Sequence, residues 1–363
     1  MDTSQQDILS AFPHRLNPHA ERTRRHVADW VRRTGLVHRE SAWRRFQRAD
    51  FGWFAAAVYP TADASRLDLM ADWFAWLFLV DDQLDDGGVG RDPARALRIV
   101  DQLCAVLSGH RPSDPPSPDT PTTVSALADL WERTAPLGHP GWHRRFAGHL
   151  ETCLRTAAVW EVGHRVHGTV PSEEAYVVNR RHTGAIYVCM DLIEIAVDVS
   201  VPDTLYTGAE FTSALDAACN VVCWTNDVYS LAKERSRGEV HNLVFLVQHH
   251  RGWDRSAALD HVHAAIQEET DRFLRAEARL LTAHPHRVGQ LAPCLTGMRT
   301  WMRGNLDWSR RTQRYARAVG GDTERPDEYL EARLMEAGGW KPDCSRGSVV
   351  DGRGGHDVAD TFA

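Results

Sequence analysis

Asp81, Asp82, Asp85 and Asp86 place four carboxylates within six residues. Asp81 and Asp85 are four apart, as are Asp82 and Asp86, so on a helix each pair shares a face. Like charges at that spacing repel, and a helix C-terminus disfavours anions further. A bound cation would offset both costs. An all-oxygen, carboxylate-rich set suits Mg²⁺, which keeps several waters and shares its coordination shell with phosphate oxygens. Taken alone, the run reads equally well as a solvated acidic helix end leading into Gly87–Gly88. It is not an EF-hand, because the alternating oxygen ligands and distal Glu of that loop are missing.

A second polar cluster lies further along the chain. Asn226, Ser230 and Glu234 are spaced four apart, with Asp227 and Lys233 beside them. On a helix the three form one stripe, each a turn beyond the last. An amide oxygen, a hydroxyl and a carboxylate in line can hold one hard divalent cation; the plain alternative is a polar helix face. Candidate cations are Arg180 and Arg181, in YVVNRRHTGAIYVCMDLIE, and Arg314, followed by Tyr315, in WSRRTQRY. The planar guanidinium fork matches phosphate oxygens. Two metal-friendly clusters plus separate arginines describe a diphosphate site better than a hydrolytic water site. Gly184 interrupts an apolar helical pattern. It signals either a local break that aims a carbonyl inward or tight helix packing.

The elements that must position these residues are helices. Ala71–Val80 and Ala214–Trp224 are apolar on nearly every face, so each is buried all round or lines an apolar cavity. Each then ends abruptly in one of the two polar clusters. Helices are predicted near 19–34, 39–58, 63–86, 92–108, 123–136, 140–168, 172–199, 207–235, 254–282 and 287–318, with few alternating β-branched runs and no 20–50-residue repeat. The proline-rich stretch 111–122 reads as a surface loop, since its five prolines cannot sit inside a helix. The expectation is a single-domain all-α helical bundle over 1–335 and a flexible tail over 336–363, rich in Gly, Asp and Ser.

Composition narrows the function. The chain has 363 residues and a formal charge of −7, which argues against a general nucleic-acid binder. Hydrophobic residues make up 43% and charged residues 25%, as in an ordinary soluble globular protein. The longest apolar run, Trp73–Val80, is too short to cross a bilayer. Seven single cysteines without paired CxxC motifs read as buried free thiols, and with no leader pattern they imply a reducing, cytoplasmic setting.

Together these residues resemble a class I terpene synthase of the microbial type. The DDxxD motif is Asp81-Asp82-Gln83-Leu84-Asp85, shortly after Phe78. The NDxxSxxxE motif is met in full by Asn226, Asp227, Ser230 and Glu234. Arg180 stands where the family carries its diphosphate-sensing arginine, and Arg314-Tyr315, preceded by Trp308-Ser309, matches its C-terminal pair. The opening FPHRLNPH and GEVHNLV at 238–244 add to the likeness, which runs from residue 12 to 318.

The resemblance implies a helical bundle around a deep apolar pocket and an isoprenyl diphosphate substrate held by about three Mg²⁺ ions. Asp81 and Asp85 would ligate two ions, and Asn226, Ser230 and Glu234 the third. Arg180, Lys233, Arg314 and Tyr315 would contact the diphosphate. A sensor–linker–effector trio would fall on Arg180, Thr183 and Gly184, with Thr183 departing from the Asp frequent at the linker. Asp82 and Asp86 are not taken as ligands. Ionisation leaves an allylic cation, which demands a dry pocket. Aromatic faces stabilise such a cation by about 0.5–2 kcal/mol each. Phe54, Trp73, Phe74, Phe78, Tyr187, Trp224, Trp301 and Trp308 are candidates for its wall, Phe78 and Trp308 above all.

The expected activity is cyclisation of farnesyl diphosphate to a terpene hydrocarbon or alcohol. Geranylgeranyl diphosphate is the alternative substrate. A chain-elongating isoprenyl diphosphate synthase would need a second DDxxD, which is absent. A His/Asp phosphohydrolase is disfavoured because His261/His263 and His284/His286 are two apart and point away from each other on a helix. A non-enzymatic scaffold leaves two acid-terminated apolar helices unexplained. A homodimer is suggested by analogy only.

Overall fold

A computed structural model describes residues 12–315 except Asp86 and 111–119, together with Leu9, Leu330, Glu331, Leu334 and Met335. Among these there are helices and no strand. In chain order they are α1 Ala20–Arg33, α2 Glu40–Ala49, α3 Phe51–Val58, α4 Ala64–Asp85, α5 Pro93–Leu107, α6 Thr122–Thr134, α7 Pro140–Thr156, α8 Val162–His167, α9 Glu173–Thr183, α10 Ile186–Val197, α11 Asp203–Tyr206, α12 Ala209–Arg237, α13 Leu243–Arg251, α14 Arg255–Ala283 and α15 Val288–Arg311. The expected tail, 336–363, lies outside the described residues, as does most of the proline-rich stretch. Its last residues begin α6, with Pro121 as the N-cap.

The two apolar rods are confirmed as α4 and α12. α4 packs against α1, α3, α6 and α10, and α12 against α14, α15, α10 and α13. α15 closes the bundle by crossing α3, which brings Gly304 against Ala57 and Val58. The core is rich in indoles. Trp30, Trp73, Trp76, Trp142, Trp301 and Trp308 are almost wholly buried. Several satisfy their N–H inside: Trp73 donates to Thr134 Oγ1 (2.9 Å), Trp76 to the Thr123 carbonyl (2.9 Å) and Trp308 to the Ala49 carbonyl (2.7 Å).

Three expected helices are broken. The first, 39–58, divides at Asp50, which adopts left-handed φ 55° and caps α3 by accepting from Trp53 N–H. Arg24 fixes that corner by donating to both Asp50 oxygens (2.8 and 2.6 Å). The second, 140–168, contains a π-helical turn at Ala157–Glu161 between α7 and α8. The third, 172–199, breaks at Gly184–Ala185, where Ala185 has φ 55°. A helix without a counterpart in the expectations, α13, starts at Asn242, whose side chain accepts from Val244 and Phe245 N–H. No helix among the described residues is long and apolar enough to cross a membrane.

Candidate active site

The C-terminal ends of α4 and α12 meet across one charged mouth. Asp81, Asp85, Asn226, Lys233, Glu234, Arg180, Arg314 and Tyr315 all line it. Below it lies an apolar chamber walled by Phe54, Phe74, Leu77, Phe78, Trp301 and Trp308. Phe78, Asp81, Arg180, Thr183 and Asn226 border both spaces, so chamber and mouth are continuous. Burial of the apolar rods thus carries their polar tips to a common rim.

The stripe on α12 is tied to its surroundings. Arg180 donates to Asn226 Oδ1 (2.9 Å) and to Asp227 Oδ1 (3.1 Å). Asn226 Nδ2 donates to the Tyr315 hydroxyl (2.5 Å). Asp227 is wholly buried and also accepts from Tyr176 OH (2.7 Å) and Leu243 N–H (3.0 Å), so it anchors the stripe. Asn242 donates to Glu234 Oε2 (2.7 Å). Ser230 Oγ is buried without a hydrogen-bond partner among the described residues.

Gly184 has two consequences at once. It ends α9, and a methyl there would stand 2.7 Å from Arg180 Nη1. The break and the close approach expected as alternatives therefore coexist. Thr183 borders both spaces and its buried Oγ1 has no partner among the described residues.

Electrostatics are set by burial and crowding. Burial and the neighbouring Asp85 push the Asp81 carboxyl well above the usual range. Burial, with Glu161 and Glu239 nearby, lifts Asp85 to about 6 despite Arg165. Burial and Asp227 lift Glu234 to about 7. Burial and Arg314 depress Lys233 to about 8. Carboxyls held up in this way are short of positive charge. Together with the orphaned Ser230 hydroxyl and the oxygen-only donors, they fit a hard divalent cation. Among the described residues no three of His, Cys, Asp or Glu converge on one point. The donors instead form two half-sets facing each other.

The remaining candidates fall as follows. Asp82, not taken as a ligand, is not among the residues lining the mouth but stands behind Arg314. Burial works against its ionisation, but Arg314 (3.0 and 2.9 Å) and Arg45 (3.2 Å) outweigh that and hold its carboxyl far below the usual range. Asp86 lies outside the described residues. Arg181 does not join Arg180 at the site but pairs with Asp216 (2.6 Å). Trp73, Tyr187 and Trp224 do not line the chamber, whereas Phe54, Phe74, Phe78, Trp301 and Trp308 do. Trp308 stacks on Phe54 with centroids 4.2 Å apart and planes 10° apart. Glu161, Arg165, Glu239 and His241 also line the mouth. Of these only the last two fell within a segment the sequence singled out, GEVHNLV.

Comparison with known proteins decides the family. The profile of terpene synthase family 2, C-terminal metal binding, matches residues 72–272, which contain both polar clusters. The chain belongs to this terpene synthase family. Pristinol synthase from Streptomyces pristinaespiralis is 35% identical over 340 residues, covering 89% of each chain. The (+)-T-muurolol synthase of Roseiflexus castenholzii, described as cyclising (2E,6E)-farnesyl diphosphate, is 34% identical and covers 85% of this chain and 93% of its own. The linalool/nerolidol synthase of Streptomyces clavuligerus, solved with 2-fluorogeranyl diphosphate, superposes with a TM-score of 0.74 at 26% identity, covering 81% of this chain and 100% of that one. This terpene synthase is thus a lyase of the class I α-helical fold, with the metal-binding region of its family. The phosphohydrolase, scaffold and chain-elongating readings fall away.

Proposed function

We propose that the enzyme ionises farnesyl diphosphate and cyclises the resulting cation, releasing diphosphate, with about three Mg²⁺ ions engaged at the mouth. The observation that carries this reading is the continuity of an aromatic-lined chamber with a mouth bearing both carboxylates and guanidiniums. Farnesyl rather than geranylgeranyl diphosphate is supported by the relatives, among them the muurolol synthase named for the farnesyl substrate.

Asp81 and Asp85 would hold metal on one side, and Asn226, Ser230 and Glu234 on the other. Mg²⁺ bound there would supply Lewis-acid stabilisation of charge building on the departing diphosphate. Arg180, Arg314, Lys233 and Tyr315 present donors to the same oxygens, fixed before substrate arrives, so little reorganisation is needed when the bond breaks. Phe78 stands at the border where the cation is born and, with Trp308 and Phe54, offers ring faces to it. The apolar walls keep water from capturing the cation early. Cys153, Cys189 and Cys223 line the same chamber, and burial pushes all three thiols up, which keeps them neutral beside it. Six buried, unpaired cysteines among the described residues fit a reducing, cytosolic setting.

The test is incubation with Mg²⁺ and, separately, geranyl, farnesyl and geranylgeranyl diphosphates, followed by mass analysis of extracted volatiles. A fifteen-carbon cyclic product from the farnesyl substrate, with the highest kcat/KM of the three, is expected. Cyclic product from the geranylgeranyl substrate alone would overturn the substrate assignment, and none from any would overturn the function.

A further inference from the structure

We propose that Arg165 is a positioning residue that holds the two metal-binding halves of the mouth at one spacing. The inference deepens the function proposed above and rests on it. Arg165 lies in the last turn of α8 and belongs to neither metal motif. Its Nη1 donates to Asp85 Oδ1 (2.7 Å) and to Glu239 Oε2 (3.1 Å). Asp85 is on the acidic motif at the end of α4. Glu239 is in the loop just beyond α12, two residues past its last turn.

That loop is stiffly connected to the metal stripe. Glu239 Oε1 accepts from Val240 N–H (2.8 Å), His241 N–H (3.0 Å) and His241 Nδ1 (2.5 Å). The next residue, Asn242, donates to Glu234 Oε2 (2.7 Å) and to the Asp227 carbonyl (2.7 Å). Hydrogen bonds, bridged by the peptide from His241 to Asn242, therefore lead from Asp85 through Arg165 and Glu239 to Glu234. No other described ion pair joins Asp85 to the α12 side of the mouth. Without Arg165, Asp85 and Glu239 would face each other as like charges and the run would open.

The backbone is arranged to deliver this side chain. The π-helical turn at Ala157–Glu161 inserts an extra residue ahead of α8, a distortion common at functional sites. Ala157 lines the chamber, while Glu161 and Arg165 line the mouth. Nε and Nη2 of Arg165 are buried and have no hydrogen-bond partner among the described residues. Nη2 lies 4.0 Å from Glu161 Oε2, so a third carboxylate of the mouth shares the same guanidinium.

The experiment compares wild type, Arg165→Gln and Arg165→Lys. Unfolding temperature is followed as Mg²⁺ is raised at fixed inorganic pyrophosphate, alongside KM and kcat for farnesyl diphosphate. Arg165→Gln should need about tenfold more Mg²⁺ for half of the thermal shift, and its KM should rise more than its kcat falls; the lysine variant should lie between. If the glutamine variant fails the circular-dichroism check for helicity, Glu239→Gln replaces it, with the same direction expected. A variant that titrates with Mg²⁺ as wild type does overturns the role of Arg165 and leaves the function standing. A wild type that shows no shift with Mg²⁺ and pyrophosphate overturns both.

Discussion

Replacing Gly184 by alanine tests whether the placement of Arg180 matters more than the packing around it. The new methyl would stand 2.7 Å from Arg180 Nη1, 3.1 Å from the Arg180 carbonyl and 3.5 Å from Cys223 Sγ. Gly184 has φ −73°, so alanine brings no backbone strain. Of the three neighbours the guanidinium is the one able to yield. Its contacts to Asn226 Oδ1 (2.9 Å) and Asp227 Oδ1 (3.1 Å) would then stretch. A hydrogen bond to a charged group contributes about 1.5–3 kcal/mol. Loss of one such contact in the transition state alone lowers kcat/KM by about tenfold to 150-fold. The net change in stability should be small, because Gly→Ala stabilises by about 0.4–1 kcal/mol through the unfolded chain and so offsets part of what the stretched contacts cost. Steady-state release of pyrophosphate from farnesyl diphosphate reads the first quantity, and a thermal melt the second. Undiminished kcat/KM would refute the reasoning that the close approach of Gly184 to Arg180 matters for turnover. A Tm drop of more than about 5 °C would show that packing, not position, is disturbed.

Three further changes separate site from scaffold. Ser230→Ala removes a hydroxyl that has no partner among the described residues. Its metal-free unfolding free energy should stay within about 0.5 kcal/mol of wild type, while the Mg²⁺ needed for half-maximal turnover rises. Gly304→Ala puts a methyl 2.7 Å from Val58 Cγ1 and 2.8 Å from the Ala57 carbonyl. Because main chain cannot easily recede, overpacking should cost about 1–3 kcal/mol, seen as a lower urea midpoint with unchanged slope. His26→Gln addresses pH. The hydrogen bond that His26 Nε2 donates to Asp72 Oδ2 (2.9 Å) holds the imidazole above its ordinary value of 6.5, so its stabilisation is complete below 6.5 and fades as pH rises through the folded-state value. The Tm difference between wild type and His26→Gln should therefore be largest below pH 6.5 and shrink above it; a difference that grows with pH would contradict the sign.

What the sequence revealed and what it hid follow from the range of the forces involved. α4 and α12 were legible because continuous apolarity and i, i+4 polar spacing are local signals. The convergence of their tips on one mouth followed from burying both rods in one core. Asp82 shows the limit. On a helix it lies about 100° round from Asp81, which sends it to Arg45 and Arg314 instead of the mouth. Nothing near Asp82 in the sequence announces those partners, one of them 232 residues away. Arg165 was missed for the same reason, being 80 residues from Asp85 and 74 from Glu239. The corner at Asp50 was hidden because a left-handed Asp depends on Arg24, 26 residues earlier. α13 carries a local signal of its own, an Asn cap before the apolar LVFLV.

Arg314 is paired with Asp82, Arg165 with Asp85 and Arg180 with Asp227, so each guanidinium of the rim is engaged, while Asp81 and Glu234 stay short of positive charge. A bare anion meets guanidiniums already engaged, and a bare divalent ion finds Asp85 already shared with Arg165. A guest that brings both signs can exchange with both partners at once. Seating a metal diphosphate at this rim thus means trading internal ion pairs for new ones, so the charge a ligand brings must match, sign by sign, the contacts it displaces.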